Sequence, residues 1–146
     1  MSRPLHILLI DDNPADLLLA EEAFEALGGR VRVTTCESGR AALDTMRHPD
    51  AVLPDVVLLD VNMPVMTGFE VLRAMKADPQ LRFIPVVMLT TSGSRDDINE
   101  AYTLHASSYV VKAVNFGEFI TQLESFVEFW TQSRLVAWPE PSPGVG

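Results

Sequence analysis

Asp11, Asp12, Asp60, Thr90 and Lys112 each stand where an apolar run gives way to polar residues, and between them they offer carboxylates, a hydroxyl and an ammonium. Folded to one place, such a set has a definite chemistry. Carboxylates held together repel one another, so one of them takes up a proton or a cation neutralises the group. A hard divalent ion with oxygen ligands does this. Mg²⁺ is the expected one, because it accepts a few carboxylates, waters and a phosphoryl group in an octahedral array. With a spare carboxylate, a lysine and a hydroxyl, the site suits phosphoryl transfer, in which metal and lysine offset charge on the equatorial oxygens while a nucleophile attacks in line. An aspartate can be that nucleophile and yields an acyl phosphate. Zinc is not indicated, since His6, His48 and His105 are scattered along the chain and read as structural or surface residues.

The elements that must position this set are legible in the apolar pattern. Val56–Leu59 has no polar member, so it lacks the alternation of a half-solvated strand and reads as a strand buried on both faces, as in parallel sheets. Asp60 stands at its carboxyl end, the edge where open α/β sheets bind ligands; a purely structural role, capping the following turn, competes at this point. Met63-Pro64 and Thr67-Gly68 then punctuate a loop, and Phe69, Leu72 and Met75 recur at helical spacing.

The same order repeats along the chain. Leu5–Ile10 reads as a buried strand before Asp11-Asp12, with Asn13 as a cap, Pro14 in the first helical position and a face of Leu17, Ala20, Phe24 and Leu27. Gly28-Gly29 ends that helix. Residues 31–35 form a short strand, and Ser38 caps a helix through Leu43 and Met46 that closes at His48-Pro49. Residues 85–89 are a further apolar strand running to Thr90. After it, Ser94, Arg95, Asp96 and Asp97 resemble a capping box, and Ile98, Ala101, Tyr102 and His105 continue a helix. Tyr109, Val110 and Val111 make a strand before Lys112, and Asn115 caps a last helix with a core stripe of Phe116, Phe119, Leu123, Phe126 and Trp130. Strand and helix alternate five times, which predicts an α/β fold: a doubly wound parallel sheet with helices on both faces and right-handed crossovers. In that fold the strand ends named above share one edge.

With 146 residues the chain fits one domain with a sizeable core, and 47% hydrophobic residues with ordinary charge predict a soluble globular protein. A formal net charge of −9 argues against nucleic acid and anionic membranes as partners, because both select clustered Lys and Arg; it favours a cation or a basic partner. Cys36 is the single cysteine, which excludes an internal disulfide framework and points to a reducing cytoplasm; it reads as a small residue closing a strand. The apolar stretch after Pro4 is too short for a signal-peptide core or a membrane span, and the Pro-rich residues 139–146 read as a disordered tail.

Ile10-Asp11-Asp12, Leu58-Leu59-Asp60-Val61-Asn62-Met63-Pro64 with Gly68, Pro85-Val86-Val87-Met88-Leu89-Thr90, and Tyr109-Val110-Val111-Lys112 together resemble the receiver domain of two-component response regulators. The resemblance covers residues 5–127 and implies a flavodoxin-like, five-stranded parallel sheet in order 2-1-3-4-5. It implies that Asp60 is the phosphoacceptor, that Asp12 and Asp60 bind Mg²⁺ directly, that Asp11 acts through water, and that Asn62 offers its backbone carbonyl to the metal. Thr90 would bond the phosphoryl group, Lys112 would pair with it, and Tyr109 would be the aromatic that moves inward with Thr90. Receivers usually carry proline after the lysine, and here Ala113 follows Lys112. That peptide is expected to be trans, because a cis bond without proline is costly. A second likeness, in Phe126-Val127-Glu128-Phe129-Trp130 and residues 135–139, is to the small response regulators encoded with bacterial and cyanobacterial phytochromes, which have no separate output domain and often dimerise through this end.

The expected protein is a single-domain response regulator, with a receiver domain over residues 1–130 and a C-terminal extension over 131–146 that holds a dimerisation segment and the tail. It would be a cytoplasmic, Mg²⁺-dependent switch or phosphate relay, phosphorylated on Asp60 by a sensor histidine kinase, a phytochrome by the second likeness. It is expected to act as no enzyme on external substrates, catalysing only its own phosphoryl acceptance and dephosphorylation. A homodimer through the last helix and extension is expected, because Phe129, Trp130, Leu135, Val136 and Trp138 are more large apolar groups than one helix face buries. Folding of residues 135–138 back onto the domain is the alternative. Two rival functions stand beside this one. A Mg²⁺-dependent phosphatase with an aspartyl-phosphate intermediate is opposed by the short chain, the lack of a cap-like insertion and Asn62 where such enzymes place a second acid. A module that binds partners without phosphorylation is opposed by like charge at one edge, which folding does not require.

Overall fold

Every residue of β1 (Leu5–Ile10), β3 (Val56–Leu59) and β4 (Val86–Thr90) is buried, as suits strands with a neighbour on either side and a helical layer over each face. The edge strands β2 (Val31–Cys36) and β5 (Ser108–Val111) are only partly covered. The computed structural model describes residues 3–91 and 93–137, and in it these strands form one parallel sheet in the order β2-β1-β3-β4-β5. This is the expected doubly wound, flavodoxin-like arrangement. The crossovers are α1 (Pro14–Glu25), α2 (Gly39–Arg47), α3 (Gly68–Ala77) and α4 (Arg95–Thr103), and α5 (Phe116–Ala137) follows the last strand.

Two apolar layers hold the sheet. On one face Leu17, Ala20 and Phe24 of α1 and Phe119, Leu123 and Val127 of α5 cover Leu5, Ile7, Leu9 and Leu58. On the other, Leu43 and Met46 of α2, Leu72 and Met75 of α3 and Ala101 of α4 cover Leu8, Ile10, Leu59 and Met88. Burying a Leu, Ile or Phe contributes about 1.5–3 kcal/mol per side chain, so these layers dominate the fold's stability. At the opposite edge from the site, Arg3 pairs with both carboxylate oxygens of buried Asp55 at 2.8 and 2.7 Å, and the His6 amide donates to the same group at 2.8 Å.

The helix starts follow the capping residues. Asn13 accepts from the Ala15 and Asp16 amides, Ser38 from Ala41, Ser94 from Asp97 and Asn115 from Glu118. At α3 the punctuation read as loop is a reciprocal capping box: Thr67 Oγ1 accepts from the Glu70 amide and Glu70 Oε1 from the Thr67 amide.

Three expectations need correction, the first being that α1 ends at Glu25, so Leu27 lies beyond it rather than on its face. His105 does not continue α4, which ends at Thr103; it sits beyond the helix at φ 67° while its amide reaches the Tyr102 carbonyl and that of Ala106 the Ala101 carbonyl. This is a Schellman ending with His where Gly is usual. Phe116 is not in the core stripe, being 55% exposed, and Val127 is, fully buried. Phe116 is the first residue of α5, and helical side chains lean toward the N-terminus, here past the edge of the sheet. The helix also runs beyond residue 130, so residues 131–137 of the expected extension continue it. The side chains of residues 134–137, Trp138 and the expected tail at 139–146 lie outside the described residues, as does Ser92.

Candidate functional site

Backbone pairing carries the selected residues to one edge. The Asp11 amide donates to the Cys36 carbonyl at 3.1 Å and the Asp60 amide to Ile10 at 3.0 Å, while the Lys112 amide donates to Thr90 at 2.7 Å. Each side chain is therefore set just beyond, or at, the last residue of its strand. Asp11, Asp12 and Asp60 each present a carboxylate oxygen within 4.8 Å of the others; Asp11 is buried, Asp60 half-buried and Asp12 exposed. Thr90 is fully buried at the end of β4. Asn62 is exposed, and its backbone N–H donates to Asp60 Oδ1 at 3.4 Å. Tyr109 is set apart from this group: it lies on β5 opposite Met88, partly buried against the core under α2, α3 and α4.

Both oxygens of Asp11 are engaged, Oδ1 by the Asn13 amide at 2.9 Å and Oδ2 by Lys112 Nζ at 3.2 Å. Among the described residues Asp60 makes no ion pair. Burial first, and then the Asp11 charge, push its carboxyl up from 3.8 to about 6, against the opposing pull of Lys112 and the Asn62 amide. For Lys112, burial works against the ammonium, but Asp11 and Asp16 outweigh it and its pKa is raised. Among the described residues the ammonium pairs with Asp11 and Asp16, each at 3.2 Å, and not with Asp60. An all-oxygen group with one carboxylate straining to hold a proton matches the donor preference of a hard divalent cation, with exposed Asp12 giving it access.

Three contributors lay outside the candidate set read from the sequence. Asp16, an acid in the first turn of α1, holds Lys112. Gln122 of α5 reaches back to the loop after β5, its Oε1 accepting from the Ala113 amide at 2.9 Å and its Nε2 donating to the Val111 carbonyl at 2.8 Å. The residue that departs from the receiver pattern thus supplies an N–H that a proline lacks, and the described peptide bonds are all trans. Gly68, noted only as part of a motif, sits so close under Asp60 that a Cβ there would meet the Asp60 carbonyl.

The loop between Asp60 and α3 also carries strain. Val65 stands at φ 68° with its side chain fully exposed, and the Met66 amide reaches the Pro64 carbonyl at 2.7 Å, a positive-φ γ-turn. A β-branched residue there costs about 1 kcal/mol or more relative to glycine. Val65→Gly is expected to raise stability by about 1 kcal/mol in denaturant titration, since no packed contact is lost; a loss would contradict the turn geometry.

A parallel sheet in this order, with acids after β1 and β3, a threonine ending β4 and a lysine after β5, defines a class. The chain matches the response regulator receiver domain model over residues 7–124, and it belongs to that family. It is 42% identical over 130 residues to the probable methanogenesis regulatory protein FilR2 of Methanothrix harundinacea, covering 87% of this chain and 84% of that one. With the response regulator Rcp1 of Synechocystis it shares 32% over 134 residues, 89% of this chain and 91% of the relative. Among solved structures, the phosphorylated cyanobacterial phytochrome response regulator RcpA superposes with a TM-score of 0.83 at 36% identity, over 95% of this chain and 99% of that one. The Mn²⁺-bound form of Rcp1 superposes at 0.81 with 31% identity, over 95% and 100%. The protein is thus a receiver-domain response regulator related to single-domain regulators of the phytochrome-associated kind. No helix among the described residues is long and apolar enough to cross a membrane.

Proposed function

We propose that the chain is a phosphorylation switch that accepts a phosphoryl group on Asp60 from a sensor histidine kinase. The observation that carries the reading is the half-buried Asp60 carboxylate, set beside Asp11 and Asp12 at the sheet's carboxyl edge with Lys112 close by. One Asp60 oxygen attacks phosphorus, the bond from phosphorus to the donor's histidine nitrogen breaks, and its electron pair leaves with the donor. Asp12 and Asp60 would hold Mg²⁺ directly, with the Asn62 carbonyl. Asp11, whose oxygens are already engaged, would act through water. When bound, the ion supplies positive charge that neutralises the acids and the phosphoryl oxygens. The Mn²⁺-bound form of Rcp1 supports a divalent cation in such a regulator.

Thr90 would bond the phosphoryl group and Lys112 would pair with it. Phosphorylation would then shift a population between two arrangements of the loop after Thr90 and the Tyr109 side chain. The likeness to the phosphorylated phytochrome response regulator RcpA supports a phytochrome kinase as partner. Output would pass through a surface, and a homodimer through α5 offers one. Trp130 meets Phe129 edge to face and Phe126 at a tilt, and all three line a groove of about 550 Å³ together with Val110 and Leu123.

Acetyl phosphate with Mg²⁺ is expected to add one phosphoryl group to the intact chain and none to Asp60→Asn. Rapid turnover of small phosphate esters instead would favour a phosphatase. Lys112→Ala is expected to slow acceptance roughly ten- to hundred-fold with an unchanged circular dichroism spectrum, because an electrostatic stabiliser of the transition state is lost. An unchanged rate would remove Lys112 from the machinery.

A further inference from the structure

The geometry points to Asp16 as a positioning residue for phosphoryl acceptance, a counter-anchor that holds the Lys112 ammonium on α1 and so limits the positive charge facing Asp60. Asp16 is the third residue of α1, where an acid ordinarily turns back to the amide of the capping residue. Here the Asn13 amide is taken by Asp11 Oδ1 at 2.9 Å, which leaves the Asp16 carboxylate for Lys112 Nζ at 3.2 Å. The ammonium, with 13% of its side chain exposed, is thus divided between Asp11 and Asp16, with the Phe119 ring centroid at 5.9 Å. A group shared in this way gives each partner less. A phosphoryl group arriving at Asp60 competes with Asp16 for the same N–H donors, and the carboxylate that loses is the one on α1. The ordinary role of a first-turn acid, complementing the helix dipole, stabilises α1 but has no route to the reaction rate through Lys112.

The proposal rests on Asp60 as phosphoacceptor, and its test is a rate measured in a double-mutant cycle. With acetyl phosphate and Mg²⁺ in excess, Asp16→Asn is expected to accept phosphate roughly three- to ten-fold faster than the wild type, the scale of a partly buried ion pair. In the Lys112→Ala background the same substitution is expected to change nothing. Asp16→Glu, which keeps the charge, is expected to restore the wild-type rate, and Glu22→Gln, which removes an exposed charge from the same helix, to leave it unchanged. An unaltered rate in Asp16→Asn overturns the proposal, and so does an acceleration that persists without Lys112 or is matched by Glu22→Gln. Absence of label on the wild-type chain would end the functional reading and this proposal together; label on the wild type with no Asp16 effect ends this proposal alone.

Discussion

Without metal, Asp60→Asn is expected to be more stable than the wild type by about 2 kcal/mol at pH 7 and equally stable near pH 4. The Asp60 carboxyl titrates at about 6 in the fold against 3.8 for the unperturbed group, chiefly because the fold buries it and sets Asp11 beside it. Folding therefore favours the protonated form. Below the lower value both states are protonated and nothing is lost; as pH rises through the window to the higher one, the wild type loses stability, and above it the penalty is complete. The full shift corresponds to about 3 kcal/mol, reduced here because the group is partly solvated. Asparagine carries no charge and escapes the penalty. Denaturant titrations in EDTA at pH 4, 5 and 7 measure it. Saturating Mg²⁺ should stabilise the wild type and close the gap, since a bound cation replaces the proton. Equal stability at pH 7, or a gain that persists at pH 4, would show that Asp60 is not strained.

Gly68→Ala is expected to cost about 3 kcal/mol or more and to cut phosphoryl acceptance with it. A Cβ at this position would meet the carbonyl oxygen of Asp60, with its carbonyl carbon and the Val61 Cα each at 2.9 Å. All of these are backbone, so no flexible side chain can yield. The Gly68 amide also donates to the Val61 carbonyl at 2.9 Å, which ties the start of α3 to the next peptide along. Either α3 or Asp60 must move. Gly93→Ala serves as the control, because its nearest contact would be an ordinary 3.6 Å to Val111 Cγ2. Similar costs at both glycines, by thermal melting, would remove the steric argument.

How far the sequence was legible follows from which signals are local. Val56–Leu59 could be read as a doubly buried strand because burial on two faces removes alternation, and the caps at Asn13, Ser38 and Asn115 because they act within three residues. Strand order followed from family likeness, and once it holds, Asp11, Asp12 and Asp60 must converge. Phe116 and His105 were misread because periodicity does not say where a helix stops or where the sheet beneath it ends. The left-handed turn at His105 in particular is unmarked by the usual glycine. Asp16 and Gln122 escaped notice because their partners, Lys112 and the Ala113 amide, are brought to them only by the tertiary fold. A first-turn acid and a glutamine on a helix look alike whether or not they hold a site together.

The central claim, that Asp60 takes the phosphoryl group, is tested most directly by trapping it. The wild-type chain is treated with acetyl phosphate and Mg²⁺, reduced with borohydride, which converts an aspartyl phosphate to homoserine, and digested for peptide mass analysis. The account predicts homoserine at position 60 and at no other aspartate, with none formed when EDTA replaces Mg²⁺. Homoserine at Asp11 or Asp12 with Asp60 intact, or no homoserine at all, would contradict it.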